Sequence, residues 1–234
     1  MDKRKFLCVI PARGGSKGIP HKNIKELNGK PLILYSIEVA RQIFNDDDIC
    51  VTTDDKQIIA VVEKCGLRVP FVRPSHLATD HASSQDVIIH ALDFYEQNNR
   101  FYDGILLLQP TSPFRLKRHI EEALNLYVDD CDMVVSVREA SANPYFNLFE
   151  EDTSGYLHIS KGEEKYTRRQ DAPPVWEYNG SIYIMNCNSL KTMIMSDFPR
   201  IIKYPMENIY SIDIDVSLDW IIAEELIKKK MIMF

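Results

Sequence analysis

Residues Phe6–Gly18 read FLCVIPARGGSKG and join a short apolar run to a glycine-rich loop. The run Phe6–Ile10 has the length of a buried strand, and Pro11 ends it. A loop directly after the first strand lies at the carboxyl end of that strand, where open α/β sheets bind their ligands. Glycines bring backbone N–H groups close to phosphate oxygens. The stretch therefore predicts the first strand of an α/β sheet and an anion-binding loop, with a purely structural turn as the alternative.

Beyond this loop, short apolar runs alternate with longer segments of helical period, which is typical of a parallel sheet built from βαβ units. We predict strands over residues 6–10, 49–53, 68–72, 104–109, 133–137, 180–185 and 201–204. We predict helices over residues 31–42, 55–64, 84–97, 116–128 and 216–229. The expected class is α/β with a mainly parallel sheet.

The alternation stops between residues 139 and 175, where the chain is polar and aromatic. Here Asp152–Gly155 has the composition of a hairpin turn, flanked by short strands around residues 146–149 and 156–159. We expect residues 1–138 and 176–234 to form one α/β domain and residues 139–175 to form an inserted arm. A protruding aromatic hairpin favours a dimerisation arm, and a lid or a surface excursion of the same monomer is the alternative.

Charge is distributed unevenly along the 234-residue chain, whose formal net charge is −6. The first 30 residues hold eight Lys or Arg against two acidic residues, a local charge of +6, so the remainder carries −12. An acidic protein is a poor partner for nucleic acid or an anionic membrane. A compact basic element on such a protein favours a small polyanion such as a nucleoside triphosphate.

The chain has no apolar run of the roughly 18 residues that span a bilayer, and its first apolar run is too short for a signal-peptide core. We therefore expect a soluble, cytoplasmic protein without a membrane partner. Its five cysteines are scattered and form no C-x-x-C pair. Reduced thiols are favoured over a disulfide framework or a thiolate metal site.

The segment Ser211-Ile-Asp-Ile-Asp215 alternates polar and apolar residues. On an extended backbone Asp213 and Asp215 project from one face, about 7 Å apart, and the two isoleucines project into the core. Mg²⁺ is usually held by one or two carboxylates together with substrate phosphates. The pair is a candidate magnesium site, with ordinary surface aspartates as the alternative, and Asp219 is expected in the first turn of the last helix.

The run IPARGGSKGIPHKN over residues 10–23 closely resembles the opening signature of CMP-sialic acid synthetases, the acylneuraminate cytidylyltransferases. Further blocks follow in the family's order, namely residues 77–84, 107–115, 168–171, 179–183 and 211–215. The resemblance implies a three-layer Rossmann-like nucleotidyltransferase fold with a mainly parallel sheet and an inserted dimerisation hairpin arm. It also implies a homodimer that uses CTP, an acidic nine-carbon sugar and Mg²⁺.

The resemblance assigns site residues by motif. Arg13 and Lys17 are expected to hold the triphosphate and, with Asp213 and Asp215, to be catalytic; the two aspartates would bind the metal. The nucleotide site would also include Ala12 in the loop, Lys22 and Asn23 beside the phosphates and ribose, and Arg73, Ala82, Ser83 and Ser84 at the base and α-phosphate. Helix capping is the alternative role of the serines.

The sugar site implied by the resemblance comprises Gln109, Asn179, Tyr183 and Arg169. Tyr183 as an ordinary core aromatic is the alternative, and the adjacent Arg168 could be the sugar contact in place of Arg169. In this family the arm arginine reaches into the partner's site. Some sialic-acid members have a basic residue where this chain has Pro144-Tyr-Phe-Asn147. That difference leaves open whether the sugar is N-acetylneuraminate, KDN or a legionaminate.

The expected reaction is attack of the sugar's anomeric hydroxyl on the α-phosphorus of CTP, with release of pyrophosphate. Catalysis would be mainly electrostatic, without a covalent intermediate. The six histidines have no metal-binding spacing, and only His21, in the loop, is a candidate for acid–base chemistry. The alternatives are a cytidylyltransferase for another acidic sugar such as an octulosonate, and a catalytically silent nucleotide-binding module.

Overall fold

The computed structural model describes residues 4–15, 18–162 and 166–232. Its strands are β1 (Phe6–Pro11), β2 (Glu26–Leu27), β3 (Lys30–Pro31), β4 (Ile49–Thr52), β5 (Gly104–Leu108), β6 (Met133–Glu139), β7 (Phe149–Glu151), β8 (Leu157–Ile159), β9 (Trp176–Asn186) and β10 (Ile201–Pro205). Its α-helices are α1 (Leu32–Arg41), α2 (Lys56–Lys64), α3 (Ser84–Gln97), α4 (Lys117–Leu126), α5 (Cys187–Thr192) and α6 (Ser217–Lys228).

Six strands form the central sheet in the order β10-β6-β9-β5-β1-β4. Strand β1 pairs in parallel with β4 and β5, and β6 pairs in parallel with β10. Strand β9 runs antiparallel to both of its neighbours, β5 and β6. The predicted mainly parallel sheet is therefore confirmed, with one reversed strand.

The helices cover both faces of the sheet. Side chains of α1, α2 and α4 share one buried cluster with Cys8 and Ile10 of β1. Side chains of α3 and α5 share a second cluster with Leu7 and Val9 on the other face of the same strand. Because successive side chains of a strand point to opposite faces, a strand buried on both sides is apolar throughout. This confirms the predicted three-layer arrangement.

The hairpin predicted within residues 139–175 is present as the antiparallel pair β7–β8. Its turn contains Asp152, whose carboxylate accepts from the backbone N–H groups of Ser154 and Tyr156, and Gly155, whose φ of +85° favours glycine. The pair forms its own two-stranded sheet, separate from the central one.

The strand predicted over residues 68–72 is wrong. Only Val72 pairs, in a single parallel bridge with Thr53, and its side chain is 62% exposed. Pro70 within the run lacks the N–H that a central strand needs. The segment 211–215 belongs to no strand; within it Ile214 is buried, as the alternation predicts, and Ile212 is partly buried.

None of the helices in the described residues is long and apolar enough to cross a membrane. All five cysteines lie within the described chain and are free thiols, as predicted.

Candidate active site

A cavity of about 520 Å³ opens at the carboxyl ends of β1 and β5. It brings together segments that are distant in the sequence: the loop after β1, the loop before α3, the turn after β5 and the segment before α6. Among the predicted site residues, those that line the cavity are Arg13, Lys22, Asn23, Arg73, Ala82, Ser84, Gln109, Asp213 and Asp215.

The glycine-rich loop is held at its start by backbone contacts. The N–H of Ala12, which is 1% exposed, donates to the Thr52 carbonyl at 3.0 Å, and the Gly14 N–H donates to the Asp54 carboxylate at 3.1 Å. A Cβ on Gly14 would lie 2.5 Å from an Asp55 carboxylate oxygen, so only glycine fits there. The predicted phosphate ligand Lys17 lies outside the described residues.

Arg13 extends from this loop into the cavity. One of its guanidinium nitrogens lies 2.7 Å from the Asp80 carboxylate, on the loop that precedes α3. The ion pair is partly exposed, with 35% of the Arg13 side chain and 40% of the Asp80 side chain accessible. An anion entering the cavity can therefore compete for the Arg13 fork.

Lys22 and Asn23 tie the loop to the aspartate segment. The Lys22 ammonium donates to the Ile214 carbonyl at 2.6 Å and to the Asp215 carboxylate at 2.9 Å. The Asn23 amide donates to the Arg13 carbonyl at 3.1 Å. A Cβ on Gly18 would lie 2.2 Å from the Asp215 carbonyl oxygen, so the two backbones touch. The loop and the aspartates are thus one packed unit.

Asp213 and Asp215 both line the cavity, as the alternation predicts, but in different surroundings. The Asp215 side chain is 69% exposed. Burial raises the pKa of the Asp213 carboxyl, and the neighbouring Asp215 carboxylate raises it further. A Cβ on Gly180 would lie 2.8 Å from an Asp213 oxygen, so this glycine, with φ +72°, leaves room for the carboxylate. Asp219, as predicted, lies in the first turn of α6 and accepts from the Asp215 N–H.

Arg73 forms the buried wall of the cavity and is 5% exposed. Its guanidinium donates to the hydroxyl and the carbonyl of Thr52, and burial lowers its pKa. Ala82 and Ser84 line the cavity at the start of α3. Ser83 instead caps that helix, its hydroxyl accepting from the Asp86 N–H at 3.0 Å, and it is not part of the cavity lining.

The four predicted sugar residues are not all part of the cavity lining. Gln109 lines the cavity at the end of β5. Asn179 lies below it, 3% exposed, with its amide bonded to the hydroxyls of Ser136 and Ser211. Tyr183 packs edge-on against Tyr178, and burial raises its pKa to about 12.

Arg169 is outside the cavity lining, and its guanidinium donates to the Ala140 carbonyl at 2.6 Å. Its neighbour Arg168 forms an exposed ion pair with Asp171 at 2.8 Å. The fold of one chain therefore leaves both arginines on the arm.

Two residues at the site are not singled out by the sequence interpretation. Asp80, the partner of Arg13, belongs to the motif at residues 77–84, where the resemblance points to nucleotide contacts but assigns this aspartate no role. Arg115 closes the motif at residues 107–115, and its guanidinium donates to the Gln109 carbonyl. Membership of a quoted motif is the only sequence signal for either. His21 is exposed with φ 51° and is not part of the cavity lining.

A three-layer α/β fold that brings a glycine-rich loop and two aspartates to one cavity at the carboxyl end of the sheet is typical of α/β proteins that bind a ligand there. The family model described as cytidylyltransferase matches residues 7–229. The CMP-N,N'-diacetyllegionaminic acid synthase of Legionella pneumophila is 36% identical, covering 96% of this chain and 97% of that protein. The pseudaminic acid cytidylyltransferase of Campylobacter jejuni is 31% identical over 96% of this chain and 97% of that protein.

The N-acylneuraminate cytidylyltransferase of Streptococcus agalactiae is 37% identical over 93% of this chain but 52% of that protein, so the chain spans about half the length of this relative. Among solved structures, a CMP:2-keto-3-deoxy-manno-octonic acid synthetase complexed with CTP has a TM-score of 0.69 at 21% identity, covering 97% of this chain and 99% of that one. The chain belongs to the cytidylyltransferase family, in the group that holds the sialic, legionaminic and pseudaminic acid CMP synthases.

Proposed function

We propose that this chain transfers CMP from CTP to the anomeric hydroxyl of a nine-carbon acidic sugar. The observation that supports this most is that one cavity is lined by two cations, Arg13 and Lys22, by the two carboxylates of Asp213 and Asp215, and by Gln109. Cations and carboxylates facing a common space suit a reaction in which a triphosphate is cleaved at its α-phosphorus.

The nucleotide half of the proposal rests on the loop after β1 and the start of α3. Arg13, freed from Asp80, binds triphosphate oxygens, and Lys17 adds a second cation from the same loop. Ser84, in the first turn of α3, offers its hydroxyl and its backbone N–H at a helix N-terminus, which favours an anion, and Ala82 lines the cavity beside it. Arg73, whose side chain is already fixed by Thr52, faces the cytosine side.

The donor set at Asp213 and Asp215 fits Mg²⁺. Within the described residues no three His, Cys, Asp or Glu side chains group as a metal site, so the ion would need substrate oxygens in addition to these two carboxylates, as Mg²⁺ usually does. The raised pKa of Asp213 reflects a partly buried carboxylate that a cation would stabilise. When bound, Mg²⁺ would offset the negative charge of the phosphates.

In the reaction the anomeric oxygen forms a bond to the α-phosphorus, and the bond from that phosphorus to the β-phosphate oxygen breaks. Pyrophosphate leaves, and the hydroxyl proton passes to solvent. Arg13, Lys17 and Lys22 offset charge on the leaving group, while Gln109 orients the sugar.

The β7–β8 hairpin supports a homodimer in which the arms are exchanged. Phe149, Tyr156 and Leu157 on it are 53%, 70% and 65% exposed, an apolar surface that a second copy would bury. Arg169 of one protomer would then reach the sugar carboxylate in the site of the other, and Asn179 and Tyr183 would support the sugar pocket from below.

Pyrophosphate release with CTP and Mg²⁺ tests the proposal, using a panel of N-acetylneuraminate, KDN, a legionaminate and an octulosonate. We expect release with at least one nine-carbon acid and none with the octulosonate. Release with the octulosonate alone would assign the chain to the other sugar class. No release from folded protein that binds CTP would make it a silent nucleotide-binding module.

A further inference from the structure

Arg115 is the largest fully buried side chain of the described protein, with 2% of the residue exposed. Burial lowers the pKa of its guanidinium to about 9. Among the described residues it forms no ion pair: its hydrogen bonds go to neutral acceptors, and the Asp213 carboxylate acts on it from a greater distance. A buried, unpaired cation is a costly way to fill a core, and a Met or Leu would serve packing alone better. The residue is therefore a candidate for a role other than stability.

The three acceptors of Arg115 lie on three different elements. Its Nη1 donates to the Ser36 hydroxyl of α1 at 2.8 Å, and its Nε to the Ser181 hydroxyl of β9 at 3.2 Å. Its Nη2 donates to the carbonyl of Gln109, at the end of β5. The planar guanidinium donates to all three from fixed directions, which the compact ammonium of a lysine does not match.

The Gln109 carbonyl is also the anchor of a short turn. It accepts from the Ser112 N–H at 3.3 Å, and the Ser36 hydroxyl lies 3.5 Å away. Two residues along, the Thr111 carbonyl accepts from the Ile214 N–H at 2.8 Å. The turn over residues 109–112 therefore joins the Gln109 side chain to the segment that carries Asp213.

We propose that Arg115 is a positioning residue for the sugar side of the site: it fixes the turn over residues 109–112 and thereby the direction of the Gln109 side chain. It does so without touching substrate, because it is buried and outside the cavity lining. The nucleotide loop after β1 has its own anchors at Thr52 and Asp54, so we expect CTP affinity to depend on Arg115 much less than use of the sugar does. This inference rests on the proposed function, in which Gln109 contacts the sugar.

A double-mutant cycle tests the inference. The variants are Arg115→Lys, which keeps the charge and loses the fork, Gln109→Ala, and the two combined. We expect Arg115→Lys to lower kcat/KM for the sugar by about 10- to 100-fold, the loss typical of a misplaced substrate contact. Because both substitutions disable the same contact, that of the Gln109 side chain with the sugar, the loss in kcat/KM of the double variant should stay within about threefold of the larger single loss. Multiplied losses would mean that Arg115 does not act through Gln109.

The dissociation constant for CTP, measured by calorimetry, separates positioning from a general structural role. We expect it to stay within about threefold of wild type in every variant. A loss of CTP affinity as large as the loss in kcat/KM would overturn the proposal. Ser36→Ala, which removes one acceptor but leaves the fork, provides a milder variant if Arg115→Lys does not fold, and it should show the same pattern to a smaller extent.

A crystal structure of Arg115→Lys gives a readout that is independent of activity. The backbone of residues 109–112 should shift while residues 11–15 remain in place. An unmoved turn would contradict the inference even in an active enzyme. If the wild-type protein is inactive but the turn shifts in Arg115→Lys, the proposed function is contradicted. The role of Arg115 in fixing the turn is then still supported.

Discussion

Asp213 and Asp215 share a cavity but differ in burial, and this difference separates their roles. Asp215 is largely exposed, and its carboxylate accepts from Lys22 at 2.9 Å. Asp213 is held among Ser112, Gly180 and the turn after β5, where burial raises its pKa. An amide at position 215 can still accept from Lys22, so removing the Asp215 charge should spare the fold.

Asp215→Asn should lower kcat at least about 100-fold, because the charge that would hold Mg²⁺ opposite the triphosphate is lost. The measurement is initial-rate pyrophosphate release, with circular dichroism and melting temperature as checks of folding. Asp129→Asn is the matched control, since that carboxylate is 89% exposed and pairs with Arg4 rather than lining the cavity. Normal turnover by Asp215→Asn would refute the metal assignment.

Much of the residue-level site could be predicted because its members carry chemistry in recognisable spacing. Arg13, Lys22 and the two aspartates could be named from their motifs, and all four line the cavity. Sequence pattern does not tell which polar side chains turn inward. Arg115 and Asn179 therefore could not be recognised as buried, because their burial depends on acceptors contributed by distant strands.

The start of α3 shows how one short element divides two functions between adjacent serines. The Ser83 hydroxyl caps the helix, and Ser84 lines the cavity. The two side chains therefore meet different surroundings at one helix N-terminus, where backbone N–H groups are free to bond.

Ser83→Ala should lower the free energy of unfolding by about 1 kcal/mol through loss of the cap, and leave the KM for CTP within about twofold. Ser84→Ala is the matched variant and should show the reverse: little change in stability and a higher KM for CTP. Urea unfolding and initial rates measure the two effects. A large rise in the KM for CTP in Ser83→Ala would show instead that the Ser83 hydroxyl contacts the nucleotide.

Helix α4 contains a buried histidine that should make stability depend on pH. The Nδ1 of His119 accepts from the Leu116 N–H at 3.1 Å and so caps the helix, and burial lowers the pKa of the ring from 6.5 to about 4. The unfolded chain takes up this proton near pH 6.5, whereas the folded protein resists it until about pH 4. Stability from this group is therefore present above pH 6.5 and is lost as the pH falls towards 4, by at most about 1.4 kcal/mol per pH unit.

His119→Asn keeps a side-chain acceptor for the Leu116 N–H and removes the titration. Urea unfolding at pH 7, 6 and 5 should give a flatter pH dependence for the variant than for the wild type. If the free energy of unfolding changes with pH equally in the two proteins, His119 does not contribute to the pH dependence of stability.

The elements of the fold were predictable where the hydrophobic periodicity agreed with the residues that end a helix or strand, as at β1, α2 and the β7–β8 turn. The run at residues 68–72 is β-branched and apolar enough to suggest a strand, but Pro70 lacks a donor and the chain pairs only at Val72. The reversed direction of β9 was not predictable, because a strand's own sequence does not encode the direction of its neighbours. Its direction follows from the path of the chain through residues 139–175.

At the scale of the whole molecule, the cavity and the segment that carries Arg169 do not meet within one chain. In one protomer Arg169 donates to Ala140 and does not line the cavity, while the hairpin exposes aromatic and aliphatic side chains. If the arms are exchanged in a dimer, each complete site takes residues from both chains.

Mixing two inactive variants tests this exchange. Asp215→Asn lacks the aspartate of its own site, and Arg169→Ala lacks the arginine of its arm. In a mixed dimer the Asp215→Asn chain supplies Arg169 to the intact aspartates of its partner, so one of the two sites is complete. Co-refolding in equal amounts makes about half of the dimers mixed, so about a quarter of wild-type activity should return. Arg168→Ala in place of Arg169→Ala is the control for the neighbouring arginine. No recovery, in dimers verified by light scattering, would place Arg169 in the site of its own chain.

Phosphorus NMR of CTP with a nine-carbon acid, labelled with oxygen-18 at its anomeric hydroxyl, is the most direct test of CMP transfer by this cavity. For each CTP consumed, one pyrophosphate and one phosphodiester should appear, with the label retained between the sugar carbon and phosphorus. Conversion of CTP to CDP and phosphate, or no conversion by folded protein that binds CTP, would contradict the assigned reaction.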